Sequence, residues 1–256
     1  QELDISAENG YVLQGIKDAA NRARGLFVTR PGDNAKLIHE AFERGFSGIK
    51  PYPDLAPDSQ ADCSVFEFLP REHLDALNEH RGILTLHLSR PGRIADPDNI
   101  REALEVADTW PDIRLVLAHV GRAFCLPTAL KGLPHFTGRP NVRFDCSAHL
   151  NPDVFAYFLE TLGPERLLFG SDLPITLMRG VREHAGERYI NYTDAPYSWN
   201  TDRKSPEEEA RYTFFLYEEL RALISALGRV GMGKAEMEAI LYSNAARMLG
   251  IEDDND

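Results

Sequence analysis

The sequence predicts an α/β fold whose core is a parallel β-sheet built from repeated βα units. Six short apolar runs lie along the chain, and several are continuous rather than alternating, as in strands that are covered on both faces. The runs begin 22, 36, 31, 28 and 25 residues apart, which fits one strand and one helix per unit. These runs are residues 24–29, 46–51, 82–88, 113–119, 141–147 and 166–172.

The segments between the runs have helical periodicity. Residues 34–45 place their apolar side chains on one face and end at Gly45, a predicted C-terminal cap. Residues 98–111 repeat this pattern, with Asp98 as the candidate N-cap. Residues 151–164 have a proline in the first turn and a glycine near the end, so they predict a third helix.

The alternation of strand and helix patterns ends after the sixth run. Residues 175–204 are polar and irregular, and a loop of this length is usually functional or mobile. We therefore predict a lid over the active site. Ser205 and Glu208 fit a capping box that opens a long helix, and a last helix over 233–249 ends at Gly250.

Eight βα units would close a barrel, whereas six leave two open strand edges and an unfilled interior. A doubly wound open sheet is an alternative, but no glycine-rich nucleotide-binding loop follows any run. The chain begins with Gln1. We expect residues 1–256 to form a single barrel domain that is the C-terminal part of a longer protein.

The composition narrows the classes of function. The net charge is −12, so the basic surface that nucleic-acid binding requires is not expected. No apolar run is long enough to cross a membrane. The three cysteines form no close pair, which favours a reducing compartment, and we expect a cytoplasmic protein.

Titratable side chains lie at or just past the ends of five consecutive runs. They are Lys50, His87, His119, Asp145 and Asp172. In a βα barrel, all these strand ends meet on one face, where active sites are built. Two imidazoles and a carboxylate together suit Zn²⁺ or a similar divalent ion.

Each of these residues also has a structural alternative. A histidine in an apolar run is more often a hydrogen-bonded core residue than a metal ligand. Asp145 is able to hold its own loop through local hydrogen bonds, and Asp172 is able to cap a short turn. Lys50 is able to pair with an acid. The matching position of the five residues, rather than any one of them, favours a site.

Several stretches together resemble the amidohydrolase superfamily, and most closely its amidohydrolase-2 proteins. This group includes decarboxylases similar to aminocarboxymuconate-semialdehyde decarboxylase. The resemblance covers nearly the whole chain except residues 175–204. It rests on "GFSGIKPYP" (45–53), "LVLAHVG" (115–121), "NVRFDCS" (141–147), "RLLFGSDLP" (166–174) and "SNAARMLGI" (243–251).

The resemblance implies a distorted (β/α)8 TIM barrel, of which this chain holds about six βα units, strands three to eight. It implies that His87 and Asp172 bind a metal, Zn²⁺ or another divalent ion such as Mn²⁺. His119 would act beside or on that metal as an acid/base, and Asp172 would take the proton of the attacking water. The family's His-x-His pair is not in the chain, and we expect it upstream of Gln1.

Basic residues near the strand ends predict an anionic substrate. Arg90 and Arg122 each follow a strand-end histidine by three residues, and guanidinium groups bind carboxylates well. We predict that Lys50, Tyr52 and Asp145 also contact the substrate. The alternative for both arginines is an ordinary position in a solvent-facing loop.

The predicted activity is metal-dependent hydrolysis of a C–O or C–N bond in a small, anionic carbonyl substrate. Three alternatives stay open: a non-oxidative decarboxylase of an aromatic or unsaturated acid, a metal-independent lactonase, and a non-catalytic fragment. The aromatic side chains of the lid line either the pocket or a homodimer contact. They are Tyr189, Tyr192, Tyr197 and Trp199.

Overall fold

A computed structural model describes residues 4–20, 22–56, 62–198 and 200–251 of the chain. Trp199, which we predicted to line a pocket or an oligomer contact, lies outside them. The chain divides into two compact units. Unit 1 comprises Gln1–Pro91, Asp96–Leu117 and Arg139–Arg143, and unit 2 comprises Gly92–Ala95, Ala118–Gly138 and Phe144–Asp256.

Each of the six apolar runs forms one strand of a single parallel sheet, which confirms the predicted α/β class. The strands follow one another in chain order across the sheet. The register between the third and fourth strands runs from Ile83 opposite Arg114 to Leu86 opposite Leu117. The strands are β1 (Leu26–Phe27), β2 (Gly48–Ile49), β3 (Ile83–Leu86), β4 (Arg114–Leu117), β5 (Val142–Asp145) and β6 (Leu167–Leu168).

In the part of unit 1 that the structure describes, there are five α-helices. Gly45 ends the second with a φ of 108°, as its predicted capping role requires. The N-cap of the fifth is Asp96 rather than Asp98, because Pro97 occupies the first helical position and the Asp96 carboxylate accepts from the next two backbone N–H groups. The helices are α1 (Ile5–Asp18), α2 (Lys36–Arg44), α3 (Val65–Phe68), α4 (Arg71–Glu79) and α5 (Pro97–Thr109).

Unit 2 holds the remaining helices. A π-helical turn separates the last two, so the single helix predicted over 233–249 is interrupted. Ser205 and Glu208 form the predicted capping box, but that helix ends at Glu209 and a separate helix begins at Phe215. The helices are α6 (Ala118–Arg122), α7 (Leu126–Gly132), α8 (Pro152–Leu162), α9 (Pro206–Glu209), α10 (Phe215–Arg229), α11 (Lys234–Glu238) and α12 (Asn244–Leu249).

The predicted irregular loop over 175–204 contains regular structure. Strands β7 (Gly180–Ala185) and β8 (Arg188–Thr193) form an antiparallel hairpin. A two-residue connection that begins at Gly186, with a φ of 61°, joins them, and glycine at this position is typical of tight hairpin turns. The prediction of an irregular segment is therefore wrong, because Gly186 allows the tight turn that pairs β7 with β8.

The sheet supplies much of the buried apolar surface within each unit. Ile49, Leu84 and Leu86 are fully buried in unit 1, and Phe144 and Leu167 are fully buried in unit 2. Burying each of these side chains contributes roughly 1.5–3 kcal/mol, so the sheet is a stable base for the polar groups at its edge. Among the described residues, no helix has the length and hydropathy needed to cross a membrane.

Candidate active site

His119 follows β4 in an unusual backbone turn. His119, Val120, Gly121 and Arg122 all have φ between 53° and 62°, which is the left-handed region. For residues with a Cβ atom this conformation costs about 1–2 kcal/mol each. Residues held in such conformations cluster at functional sites, so the turn marks the end of β4 as a candidate site.

The His119 ring is held in one tautomer by Ser147. Its Nδ1 lies 2.9 Å from both the carbonyl oxygen and the Oγ of Ser147. Because the carbonyl oxygen only accepts, Nδ1 carries the hydrogen and Nε2 carries the lone pair. The side chain is 11% exposed. The structure therefore presents His119 as an oriented base.

Asp145 fixes the loop around His119. Its Oδ1 accepts from the backbone N–H of His119 (3.0 Å), from the backbone N–H of Ser147 (3.0 Å) and from the Ser147 hydroxyl. These bonds give Asp145 the loop-holding role that the sequence left open as an alternative. They favour a positioning residue over the predicted substrate contact.

Asp172 lies four residues past the end of β6, half-buried and with a φ of 48°. Gly170 lets β6 approach the residues that hold His119, since a Cβ at this position would lie 3.3 Å from the Ser147 Cβ and 3.4 Å from the Asp145 Cβ. His119, Asp145 and Asp172, at or after the ends of β4, β5 and β6, all belong to unit 2.

Glu219 is a fully buried carboxyl group that the sequence analysis missed. It accepts from the thiol of Cys146 (3.3 Å) and from the backbone N–H of Ala148 (2.7 Å). Burial raises its pKa to about 8, and the nearby charges of Asp145 and Asp172 act in the same direction. Glu219 therefore holds the loop after β5 as a mostly neutral acid at pH 7.

Unit 1 brings together three other predicted site residues. The Lys50 Nζ lies 5.4 Å from the centroid of the Tyr52 ring, and the Tyr52 and His87 rings meet edge to face with centroids 6.4 Å apart. Lys50 and His87 directly follow β2 and β3, which explains their proximity. Their roles towards substrate and metal stay predictions.

Arg90, which was predicted to contact an anionic substrate, is paired with a carboxylate within the fold. Its guanidinium binds both carboxylate oxygens of Glu102, at 2.9 and 3.1 Å. Glu102 also accepts from the Ser64 hydroxyl and the Val65 backbone N–H, so it ties α5 to the start of α3. The charge of Arg90 is thus neutralised within the fold, which argues against a substrate contact. Arg122 is half-buried at the end of the left-handed turn, and its predicted role stays a prediction.

Among the described residues, no group of three or more His, Cys, Asp or Glu side chains is arranged to hold a metal ion. His87 lies in unit 1, and His119 and Asp172 lie in unit 2. The donors within the described residues do not fit a complete metal site by themselves. The assignment of these three as metal ligands stays a prediction.

The chain is an α/β protein with a parallel sheet, and polar side chains follow the carboxyl ends of its strands within each unit. A family profile described as amidohydrolase (Amidohydro_2) matches residues 3–251. The chain therefore belongs to the amidohydrolase-2 family, and it is an enzyme of the hydrolase or carboxy-lyase type. No significant match is found among curated proteins.

Solved structures support the same fold at low sequence identity. An amidohydrolase from Burkholderia multivorans is 15% identical, with a TM-score of 0.64, over 96% of this chain and 80% of that one. A putative 2-pyrone-4,6-dicarboxylic acid hydrolase from Pseudomonas putida is 17% identical, with a TM-score of 0.58, over 96% and 78%. The six-stranded sheet is consistent with part of an amidohydrolase TIM barrel.

A third structure is a 5-carboxyvanillate decarboxylase from Novosphingobium aromaticivorans, complexed with manganese and 4-hydroxy-3-methoxy-5-nitrobenzoic acid. It is 16% identical, with a TM-score of 0.59, over 96% of this chain and 70% of that one. The similar structures therefore include both hydrolases and decarboxylases.

Proposed function

We propose that the chain hydrolyses a C–O or C–N bond in a small, anionic carbonyl substrate, with His119 as the acid/base. The observation that carries this proposal is the pair of contacts from the His119 Nδ1 to Ser147, which leave Nε2 as the basic nitrogen. The left-handed turn fixes the backbone that carries this ring.

The proposed reaction uses one proton twice. A water molecule attacks the carbonyl carbon and gives a proton to Nε2 of His119. The bond between that carbon and the leaving oxygen or nitrogen then breaks, and the leaving atom takes the proton from His119. Asp172 orients the water, a change from the sequence-based role of proton acceptor, because the tautomer of His119 supplies a base.

A second candidate reaction is non-oxidative decarboxylation. It is favoured by the similar structures that are decarboxylases, including the manganese complex. In this reaction, protonated His119 gives its proton to the carbon that carries the carboxylate. The C–C bond breaks, carbon dioxide leaves, and the electron pair of that bond takes the proton. The same residue serves both reactions, so the substrate decides between them.

A divalent metal ion is also part of the proposal. Its support is the manganese in a similar structure and the resemblance to metal-dependent enzymes. The metal content of the purified protein, measured before and after incubation with Mn²⁺ or Zn²⁺, tests this directly. Because the His-x-His pair is not in the chain, we expect these residues by themselves to bind the metal weakly. Turnover of substrate by metal-free protein would contradict a metal requirement.

The experiment that tests the reaction compares two sets of substrates. Aromatic esters and lactones that also carry a carboxylate report hydrolysis by acid release, and aromatic acids report decarboxylation by carbon dioxide release. The His119→Asn variant should lose turnover, whereas His135→Asn, which changes an exposed histidine of the same unit, should keep it. Equal turnover by wild type and His119→Asn would overturn the proposal.

A further inference from the structure

Two arginines of unit 2 surround the same pair of aromatic rings. The Cζ of Arg182 lies 4.3 Å from the centroid of the Phe124 ring and 5.0 Å from that of Tyr189. The Cζ of Arg93 lies 5.1 and 4.7 Å from the same two rings. We call Arg93, Phe124, Arg182 and Tyr189 the arginine–aromatic cluster.

Arg182 is held in this cluster by neutral groups. Its Nε donates to the Asn191 side-chain oxygen (2.7 Å), and its Nη1 donates to the carbonyl oxygen of Ala148 (2.8 Å). No ion pair joins Arg182 to a carboxylate among the described residues. Burial lowers the pKa of Arg182 to about 10, and the charge of Arg93 acts in the same direction. Arg182 is therefore a cation at neutral pH without an internal anion.

Arg182 is half-buried, so its charge is partly removed from water without a carboxylate partner, and an incoming anion would offset that cost. The guanidinium also has a donor to offer, since Nη2 makes no hydrogen bond to a described residue and is not among the buried unsatisfied atoms. A carboxylate is the anion whose geometry best matches a guanidinium. The rings beside Arg182 present apolar surface, which favours a flat, apolar group attached to that carboxylate.

The cluster adjoins the catalytic residue through one peptide. Ser147 holds the ring of His119, and the carbonyl of the next residue, Ala148, accepts from Arg182. Ala148 has a φ of 54°, and Glu219 fixes its backbone N–H. Arg182 and His119 are thus held by the carbonyl groups of two successive residues, Ala148 and Ser147.

We propose that Arg182, with Phe124 and Tyr189, is the binding site for the carboxylate of a small aromatic acid or acid derivative. This inference rests on the proposed function, since it names the substrate class for the same site. Arg182 thus joins Arg122 as a candidate carboxylate-binding residue, whereas Arg90 is paired with Glu102.

Calorimetric titration of the full chain with three probes tests the proposal. Benzoate has both the charge and the ring, benzamide has the ring alone, and acetate has the charge alone. Wild type should bind benzoate at least about 10-fold more tightly than either of the other two. This comparison needs no variant, so it holds even where a substitution impairs folding.

Variants then locate the interaction. Arg182→Gln should weaken benzoate binding by about 10- to 100-fold, because it removes a charge-assisted hydrogen bond. Arg182→Lys, which keeps the charge, should recover part of the loss. The matched control is Arg188→Gln, an exposed arginine on the same hairpin, which should bind like wild type.

The proposal is overturned if wild type does not bind benzoate, if benzamide binds as tightly, or if Arg182→Gln binds benzoate like wild type. Turnover is measured on the same samples. A protein that binds benzoate through Arg182 but turns over neither set of substrates would contradict the proposed function and not this binding site.

Discussion

Arg90 and Arg182 are both arginines near candidate sites, but their surroundings differ. The Arg90 side chain is 15% exposed and its partner Glu102 is 3% exposed, and the pair shares two hydrogen bonds. Arg182 donates only to an amide oxygen and a carbonyl oxygen and lies against aromatic rings. Arg90 has a carboxylate counter-ion within the fold, whereas no carboxylate of the described residues forms an ion pair with Arg182.

Polar groups that stabilise the fold differ in their surroundings from those at the candidate site. Around Arg90, the hydrogen bonds tie one helix to another. Arg182 bonds to Ala148, a residue in the left-handed conformation. The same loop orients His119 and contacts Glu219, a buried acid whose pKa is raised. We therefore expect changes near Arg90 to reduce stability and changes near His119 to reduce activity.

The largest expected effect is on catalysis. His119→Asn should lower kcat/KM by about 100- to 10,000-fold, because it removes the acid/base. Its free energy of unfolding should change little, since His119 lies at the edge of the core. Steady-state kinetics and urea unfolding measure the two quantities. A large loss of stability with activity retained would reverse the comparison.

The next effect is on stability. Glu102→Gln should reduce the free energy of unfolding by about 3–5 kcal/mol, because it leaves the Arg90 charge without its counter-ion. Burial alone would raise the pKa of Glu102, but the bonds from Arg90, Val65 and Ser64 hold it below the ordinary value. The stabilisation from Glu102 is thus present above the ordinary pKa and is lost as pH falls through the lowered one.

A matched control for Glu102 is Glu105→Gln. Glu105 pairs with Arg71 on a more exposed surface, so its replacement should cost about 1 kcal/mol or less. Urea unfolding of both variants measures the difference. Equal losses from the two substitutions would show that the buried pair has no special role.

A third prediction sharpens the role of Glu219. Its pKa is raised to about 8 in the folded state, so between pH 4.5 and 8 the unfolded chain loses a proton that the folded chain keeps. Stability from this group therefore falls as pH rises, by about 1.4 kcal/mol per unit. Glu219→Gln should remove that slope. Urea unfolding at pH 5, 6 and 7 tests it, and identical slopes for both proteins would contradict the burial effect.

The smallest effect is expected at Ser147. Ser147→Ala removes the hydroxyl that contacts His119 and Asp145 but keeps the carbonyl that fixes Nδ1. We expect kcat to fall only about 3- to 10-fold, the value of one ordinary hydrogen bond. A loss as large as that of His119→Asn would show that the hydroxyl itself takes part in the chemistry.

The fold class could be predicted because it depends on local patterns. Continuous apolar runs, helical stripes and capping residues such as Gly45 act over a few positions and leave a direct mark in the sequence. The hairpin was missed because a single glycine, Gly186, carries most of its signal. The division of the helix after Ser205 was missed because the capping box marks where a helix begins and not where it ends.

The site could be predicted only in part. The strand-end position of His119 and Asp172 follows from topology, which the sequence reveals. The ion-pair partner of a charged residue cannot be predicted in this way, because Arg90 and Glu102 come together only through tertiary packing. Glu219 did leave a mark, since it lies on the buried face of α10 four residues after Phe215, where an apolar side chain is usual.

The hairpin has a consequence for how new specificities arise. Under the proposal above, Arg182 and Tyr189 are both carried by this one hairpin, whereas His119, Asp145 and Asp172 are carried by strand ends. Two of the three proposed ligand-binding residues then lie on the hairpin, and the third, Phe124, lies close to His119 in the sequence. Exchanging residues 180–193 between relatives would change which ligands bind and would leave His119, Asp145 and Asp172 unchanged. We therefore expect this segment to be a suitable target for directed evolution.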